Sequence, residues 1–287
     1  MSERKRAIAF LLSFVLCFGV FDYLLFLWGE NCCPWTGNDY ETTRANHPEK
    51  VWDKVFFGNS AVIAGYREDQ GGGYVNLGMD YAVVTDLWQL LRQGYLKVGS
   101  ELVVGLNLFA LYDDFDTNPS YLWHRGALEP YAYFHRDKLL QMTKDTAKAL
   151  LGREVPQRTS WEKILYYGSL TDEALQEKMT GYQEKYFCLP AEDFQDNIRA
   201  LDQIADWCDQ NGVRLRVVWM PFNPSVERPA LMLELQEQVD LWCVERGIEA
   251  ADYTDALDET CFHDVGHLNY EHGSYVFTKE VDQWLQK

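Results

Sequence analysis

Apolar residues are spread along this chain in two distinct ways. From Ala7 to Trp28 they form a nearly unbroken run, AIAFLLSFVLCFGVFDYLLFLW, interrupted only by Asp22. About 20 such residues in a helix cross the hydrocarbon core of a bilayer. Arg4, Lys5 and Arg6 precede the run, so the N-terminus is expected to stay cytoplasmic and everything after Trp28 to lie outside. The run exceeds the apolar region of a cleavable signal, and no A-x-A-like site follows Trp28. An uncleaved anchor is the expectation; a buried core helix or a cleaved signal would show a similar run. Asp22 falls toward the far end of the helix, where a carboxylate costs less.

After Trp28 the pattern changes. The stretch 29–50 is polar, with Pro34, Gly37, Asn38 and Pro48, and reads as a linker. Short β-prone runs then alternate with helical spacing. Strands are expected at Val55–Phe57, Tyr74–Leu77, Glu101–Leu106, Arg214–Met220 and Ile248–Tyr253. Helices are expected at 82–91, 191–211, 231–246 and 273–285. The alternation predicts an α/β domain with a mostly parallel sheet.

Residues 112–194 break the rhythm with an acidic, Pro-containing loop, DDFDTNPS, and aromatics at Tyr121, Trp123, Tyr131, Tyr133 and Phe134. Helical spacing returns at 138–151 and 171–186, so the stretch reads as a helical insertion whose aromatics form core or a sugar-stacking surface. The expected organisation is a cytoplasmic N-terminus (1–6), a transmembrane anchor (7–28), a linker (29–50) and one catalytic-type domain (51–287) containing the insertion (112–194).

Charge narrows the partners. The formal net charge is −18 and no basic cluster follows the anchor, which excludes nucleic acid and suits a neutral or cationic acceptor better than a polyanion. The chain has seven cysteines. Cys17 lies in the apolar run, and Cys32, Cys33, Cys188, Cys208, Cys243 and Cys261 permit disulfides of unreadable connectivity. None has C-x-x-C spacing, and Cys208 and Cys243 in helix-like stretches read equally as small buried hydrophobes. Gly71-Gly72-Gly73 lacks the Lys-Ser/Thr of a phosphate loop.

The candidate chemistry sits at strand ends and in the tail. KVFFGNSAVIAGY places Ser60 in a strand-to-helix turn, at the sheet edge where open α/β folds bind ligands. Such a serine is either a helix cap or a nucleophile. In DVGHLN, Asp264 three residues before His267 can accept the Nδ1 proton, leaving Nε2 to face a hydroxyl; a structural pair is the plainer alternative. Donors for an oxyanion are expected from the Ser60 and Gly78 N–H groups and the Asn107 amide. Cys261, His263, His267 and His272 crowd together but match no zinc spacing, so neither metal nor cofactor is expected.

These blocks resemble the SGNH (GDSL-like) hydrolase superfamily: Gly58-Asn59-Ser60, Gly78, Gly105-Leu106-Asn107 and Asp264-x-x-His267, with Leu108 where the family usually has an aspartate. The resemblance implies a flavodoxin-like three-layer sandwich, a Ser60–His267–Asp264 triad and an oxyanion hole of Ser60, Gly78 and Asn107. Together with the anchor, the insertion and the HLN ending, the chain is similar to membrane-tethered extracytoplasmic members. These include the D-alanine-transfer protein of teichoic-acid modification and the alginate and cell-wall O-acetylation proteins. That similarity implies acetyl or D-alanyl transfer or ester hydrolysis on a cell-envelope glycopolymer, beside a membrane-bound O-acyltransferase. A catalytically silent scaffold subunit of such a complex is the alternative.

Overall fold

The structure, a computed structural model, describes residues 2–31, 38–118, 121–124, 130–153 and 163–287. Its helices are α1 (Glu3–Asn31), α2 (Asp39–Asn46), α3 (Ser60–Gly65), α4 (Val84–Arg92), α5 (Leu108–Leu111), α6 (Tyr131–Phe134), α7 (Arg136–Leu150), α8 (Asp172–Tyr182), α9 (Gln195–Asn211), α10 (Ala230–Arg246) and α11 (Gly273–Leu285). Its strands are β1 (Trp52–Gly58), β2 (Val75–Gly78), β3 (Val98–Leu106), β4 (Arg214–Trp219) and β5 (Glu249–Asp252). They divide into two compact units, Met1–Ala45 with Pro119–Trp161 and Asn46–Asn118 with Glu162–Lys287. The stretch read as insertion, 112–194, is therefore shared between the units, and the stretch read as linker contains α2.

In the first unit α1 is long and apolar enough to cross a membrane, and most of its side chains are exposed. Asp22 departs from expectation. It is buried, and its carboxylate oxygens accept the Tyr131 and Ala132 N–H groups, each at 2.8 Å. The acid thus satisfies donors that open α6 and would otherwise have no partner in their own helix. Phe26 meets the Tyr131 ring edge-on at 5.5 Å. The aromatics at Tyr121, Trp123 and Tyr131 are buried as core.

The second unit is an α/β sandwich. Its sheet is wholly parallel, in the order β2-β1-β3-β4-β5, the flavodoxin-like order, whose switch point lies between β1 and β3. The register Phe56–Val103–Arg216–Glu249 puts those side chains on one face, where Phe56, Val103 and Val218 pack against Val62 of α3 and Phe277, Val281 and Leu285 of α11. On the opposite face, Trp219 Nε1 donates to Asp240 of α10 at 2.9 Å, and α9 packs on α4 and β4. Cys208 and Cys243 are free and buried, and burial pushes both thiols up to about 12. Cys32 and Cys33 lie outside the described residues.

Arg216 is fully buried on the α11 face. Its Nε lies 3.1 Å from Glu101 Oε1, an ion pair without hydrogen-bond alignment, while Nη1 donates to the Leu285 carbonyl at 2.9 Å. The guanidinium also stacks 4.9 Å from the Trp284 ring. A cation at the C-terminus of α11 answers its unpaired carbonyls.

Glycine is required where α3 meets the sheet. A Cβ on Gly105 would lie 2.5 Å from Val62 Cγ2, and one on Gly58 2.3 Å from the same methyl. Gly105→Ala should therefore destabilise the protein by about 1–3 kcal/mol through overpacking. In Gly105→Ala/Val62→Ala the cost should be smaller than the sum of the two single changes, because the clashing methyl is gone. Urea unfolding of the four proteins checks this; strict additivity would rule the contact out as the cause.

Candidate active site

β1 ends at Gly58 and the chain turns through Asn59 into α3. Asn59, not Ser60, caps that helix: its Oδ1 accepts the Ala61 N–H at 3.0 Å. The capping work is therefore done by the neighbour of Ser60. Ser60 Oγ lies 2.8 Å from His267 Nε2, across 207 residues of sequence. His267 Nδ1 lies 2.8 and 2.9 Å from the two Asp264 oxygens. A proton on Nδ1, assigned from this network, donates to Asp264 and leaves Nε2 to accept from Ser60.

Asp264 is 1% exposed. Its Oδ1 accepts the Gly266 and His267 N–H groups at 3.0 and 2.9 Å, and its Oδ2 forms an ion pair with Lys178 of α8. Burial alone would raise its pKa, but the hydrogen bond and charge of His267, and then Lys178, outweigh burial and hold it well below the usual carboxylate range. The charged form of Asp264 is thus favoured beside His267 and Lys178.

Ser60, Asn107, Lys178, Asp264 and His267 share the lining of one cavity of about 270 Å³ with Tyr81, Phe109, Phe115, Tyr166, Tyr182, Tyr186 and Phe187. The aromatic wall comes largely from residues after Tyr112, in the stretch expected to be a helical insertion. Asn107 faces Asn59 across the β1–β3 switch point. Asn59 Nδ2 donates to Asn107 Oδ1 at 2.8 Å, and Asn107 Nδ2 returns a longer bond to Asn59 Oδ1 at 3.3 Å. An amide NH₂ carries two donors, so one Asn107 N–H is left for a ligand.

Gly78 departs from expectation. Its N–H donates to Asn76 Oδ1 at 2.8 Å, its carbonyl accepts from Lys163 Nζ at 2.9 Å, and it is absent from the cavity lining. Its glycine character serves packing, because a Cβ there would lie 2.5 Å from the Ile63 backbone N. Ala61, Val62 and Ile63 all donate to Asn59, whereas Ser60 N–H, one residue earlier, opens the first turn with no intrahelical acceptor.

Sequence reasoning passed over three residues. Asn76 Nδ2 donates to the Val62 and Tyr66 carbonyls at 3.0 and 2.6 Å, tying α3 to β2; its signal was a polar residue within an otherwise apolar strand. Lys178 looked like any exposed helical lysine. Tyr166 stacks on the His267 ring at 4.2 Å and 13°, from a stretch with no periodicity. Among the described residues no group of three or more His, Cys, Asp and Glu is placed to hold a metal ion.

The lowered Asp264 pKa has a pH signature. A depressed carboxylate contributes stability fully above its unfolded value, near 3.8, and loses it as pH falls through the folded value. The stability gap between wild type and Asp264→Asn should be constant above about pH 5 and shrink progressively below the ordinary carboxylate range. Denaturant unfolding at pH 7, 5 and 3 checks it; a gap that persists undiminished at pH 3 would contradict it.

No protein-family model and no curated protein matches the chain. Among solved structures, one described as "a putative arylesterase from Agrobacterium tumefaciens str. C58" aligns with a TM-score of 0.31 and 16% identity, over 83% of this chain and 99% of that one. At that score and identity the alignment says nothing of activity or substrate.

Proposed function

We propose that this protein is a serine-dependent esterase or O-acyltransferase of the SGNH type, held by α1 at the extracytoplasmic side of a membrane. The observation that carries the reading is the continuous Ser60–His267–Asp264 hydrogen-bond relay opening into a cavity at the switch point of the sheet. His267 Nε2 takes the Ser60 proton as Oγ attacks an ester carbonyl, and Asp264 fixes the ring's tautomer and supports the charge that forms. The Ser60 N–H and the Asn107 amide face the developing oxyanion. An acetyl or D-alanyl group would rest on Ser60 before passing to water or to a polymer hydroxyl. A cell-envelope polysaccharide or teichoic acid is the proposed acceptor or donor, with a membrane-bound O-acyltransferase as partner; the acidity of the chain favours the neutral polysaccharide.

A silent scaffold subunit is the second reading. The Gly78 N–H, spent on Asn76, is the observation in its favour. The two separate by turnover. The full chain in detergent micelles should hydrolyse an activated acetyl ester, and Ser60→Ala should lower kcat by about 10³-fold or more. Equal rates in wild type and Ser60→Ala would sink the nucleophile, and absence of turnover on any activated ester would favour the scaffold.

A further inference from the structure

The Gly78 N–H is spent on Asn76 Oδ1 and Gly78 does not line the cavity, so it is not the donor expected beside Ser60. The segment 163–170 runs over the strand end that Gly78 closes. At one end Lys163 Nζ donates to the Asn76 and Gly78 carbonyls at 2.5 and 2.9 Å. At the other, Ser169 Oγ donates to the Phe262 carbonyl at 2.6 Å and Leu170 N to the His263 carbonyl at 2.8 Å. Between them the Tyr166 carbonyl accepts the Tyr270 N–H at 2.7 Å. The segment is a strap tied to the tip of β2 and to the loop that carries His267, and Tyr166 is the side chain it delivers to the cavity.

The Tyr166 ring lies parallel to His267 at 4.2 Å, which fixes its plane, and Tyr166 lines the same cavity as Ser60. A phenol there has one proton to give. Burial first, then the negative charges of Asp80 and Asp264, push its pKa well above the ordinary tyrosine value. The neutral phenol is therefore favoured, and it adds no charge that would repel an oxyanion.

We propose that Tyr166 is a catalytic residue that donates its phenolic hydrogen bond to the oxyanion, replacing the Gly78 N–H; this rests on Ser60 being the nucleophile. As Oγ bonds to the ester carbon, its proton passes to His267 Nε2 and the carbonyl π pair moves onto oxygen. That oxygen accepts from Tyr166 O–H, the Ser60 N–H and the Asn107 amide, and Tyr166 keeps its proton. Collapse restores the carbonyl and breaks the bond to the leaving alcohol, which takes the proton from His267. Water or an acceptor hydroxyl then repeats the sequence on the acyl-serine, restoring Ser60. The phenol acts only where charge develops, so its contribution belongs to the transition state.

Tyr166→Phe keeps the stacked ring and removes only the hydroxyl. In the full chain in detergent micelles, on an activated acetyl ester, kcat should fall about 10²-fold with KM within about twofold, as for loss of one oxyanion donor. Binding of an alkyl boronic acid, which forms a tetrahedral adduct on serine, should weaken in parallel. A wild-type kcat in Tyr166→Phe, or a change confined to KM, overturns the proposal. Should that variant fail to fold, a crystal structure of the wild-type boronate adduct decides. Tyr166 Oη within about 3.1 Å of a boron-bound oxygen upholds it, and separation beyond about 4 Å overturns it. Failure of the nucleophile reading is seen separately, as turnover that survives Ser60→Ala.

Discussion

Three strand ends without side chains set the height at which α3 rests on the sheet. Gly58 and Gly78 close β1 and β2, Gly105 stands one residue before the end of β3, and a Cβ on any of them would come within 2.5 Å of Val62 or Ile63. A six-residue helix has no stability of its own; it exists because the bare strand tips let its backbone settle and Asn76 then ties its carbonyls to β2. Ser60, the first residue of α3, inherits that height. Its hydroxyl stands at the sheet edge where the neighbouring crossovers diverge, and the cavity opens over it.

The base arrives from the opposite end of the chain, held by a second constraint. Between Cys261 and Gly273 the chain folds on Asn269, whose Nδ2 donates to the Thr260 carbonyl at 2.7 Å and whose Oδ1 accepts the His272 and Gly273 N–H groups at 3.1 and 2.9 Å. Gly273 passes so close to the Cys261 carbonyl that a Cβ would stand 1.9 Å from it. α11 then runs back over α3, with Thr278 Oγ1 accepting the Arg67 N–H at 2.9 Å and Arg216 holding its last carbonyls. The tail is registered against α3 along its length, and that registration is what makes a 2.8 Å contact between Ser60 and His267 reproducible.

How much of this could be read from the residues follows from where each signal lies. The five strands are legible as short β-prone runs, and the helices between them predict a mostly parallel sheet; the structure makes it wholly parallel. Ser60, Asp264, His267 and Asn107 were visible because strand ends and a short Asp-x-x-His spacing are local patterns. Asp22 was read by depth along α1, when its environment is set by α6, which starts 109 residues later. Gly78 was read by position at a strand end, although whether its N–H is free depends on the Asn76 side chain two residues before it, which accepts it. Tyr166 and Lys178 meet His267 and Asp264 across 101 and 86 residues, and nothing in their own neighbourhoods marks them.

Lys178 shows why residues beyond 162 group with the sheet. Asp264 receives the Gly266 N–H, the His267 N–H, the His267 ring and the Lys178 ammonium, so both oxygens are occupied and the carboxylate cannot turn. The backbone donors fix its plane, and the plane fixes His267. The ammonium draws in α8, the helix that carries Tyr182 and leads on to Tyr186 and Phe187 in the cavity wall. Phe109 then meets the Tyr182 and Tyr186 rings at 4.9 and 5.3 Å, closing that wall against the chain that follows β3. One carboxylate therefore aligns the base and anchors the surface a substrate would touch. The carboxylate's hold on α8 depends on its staying charged, which the His267 and Lys178 contacts favour by lowering its pKa.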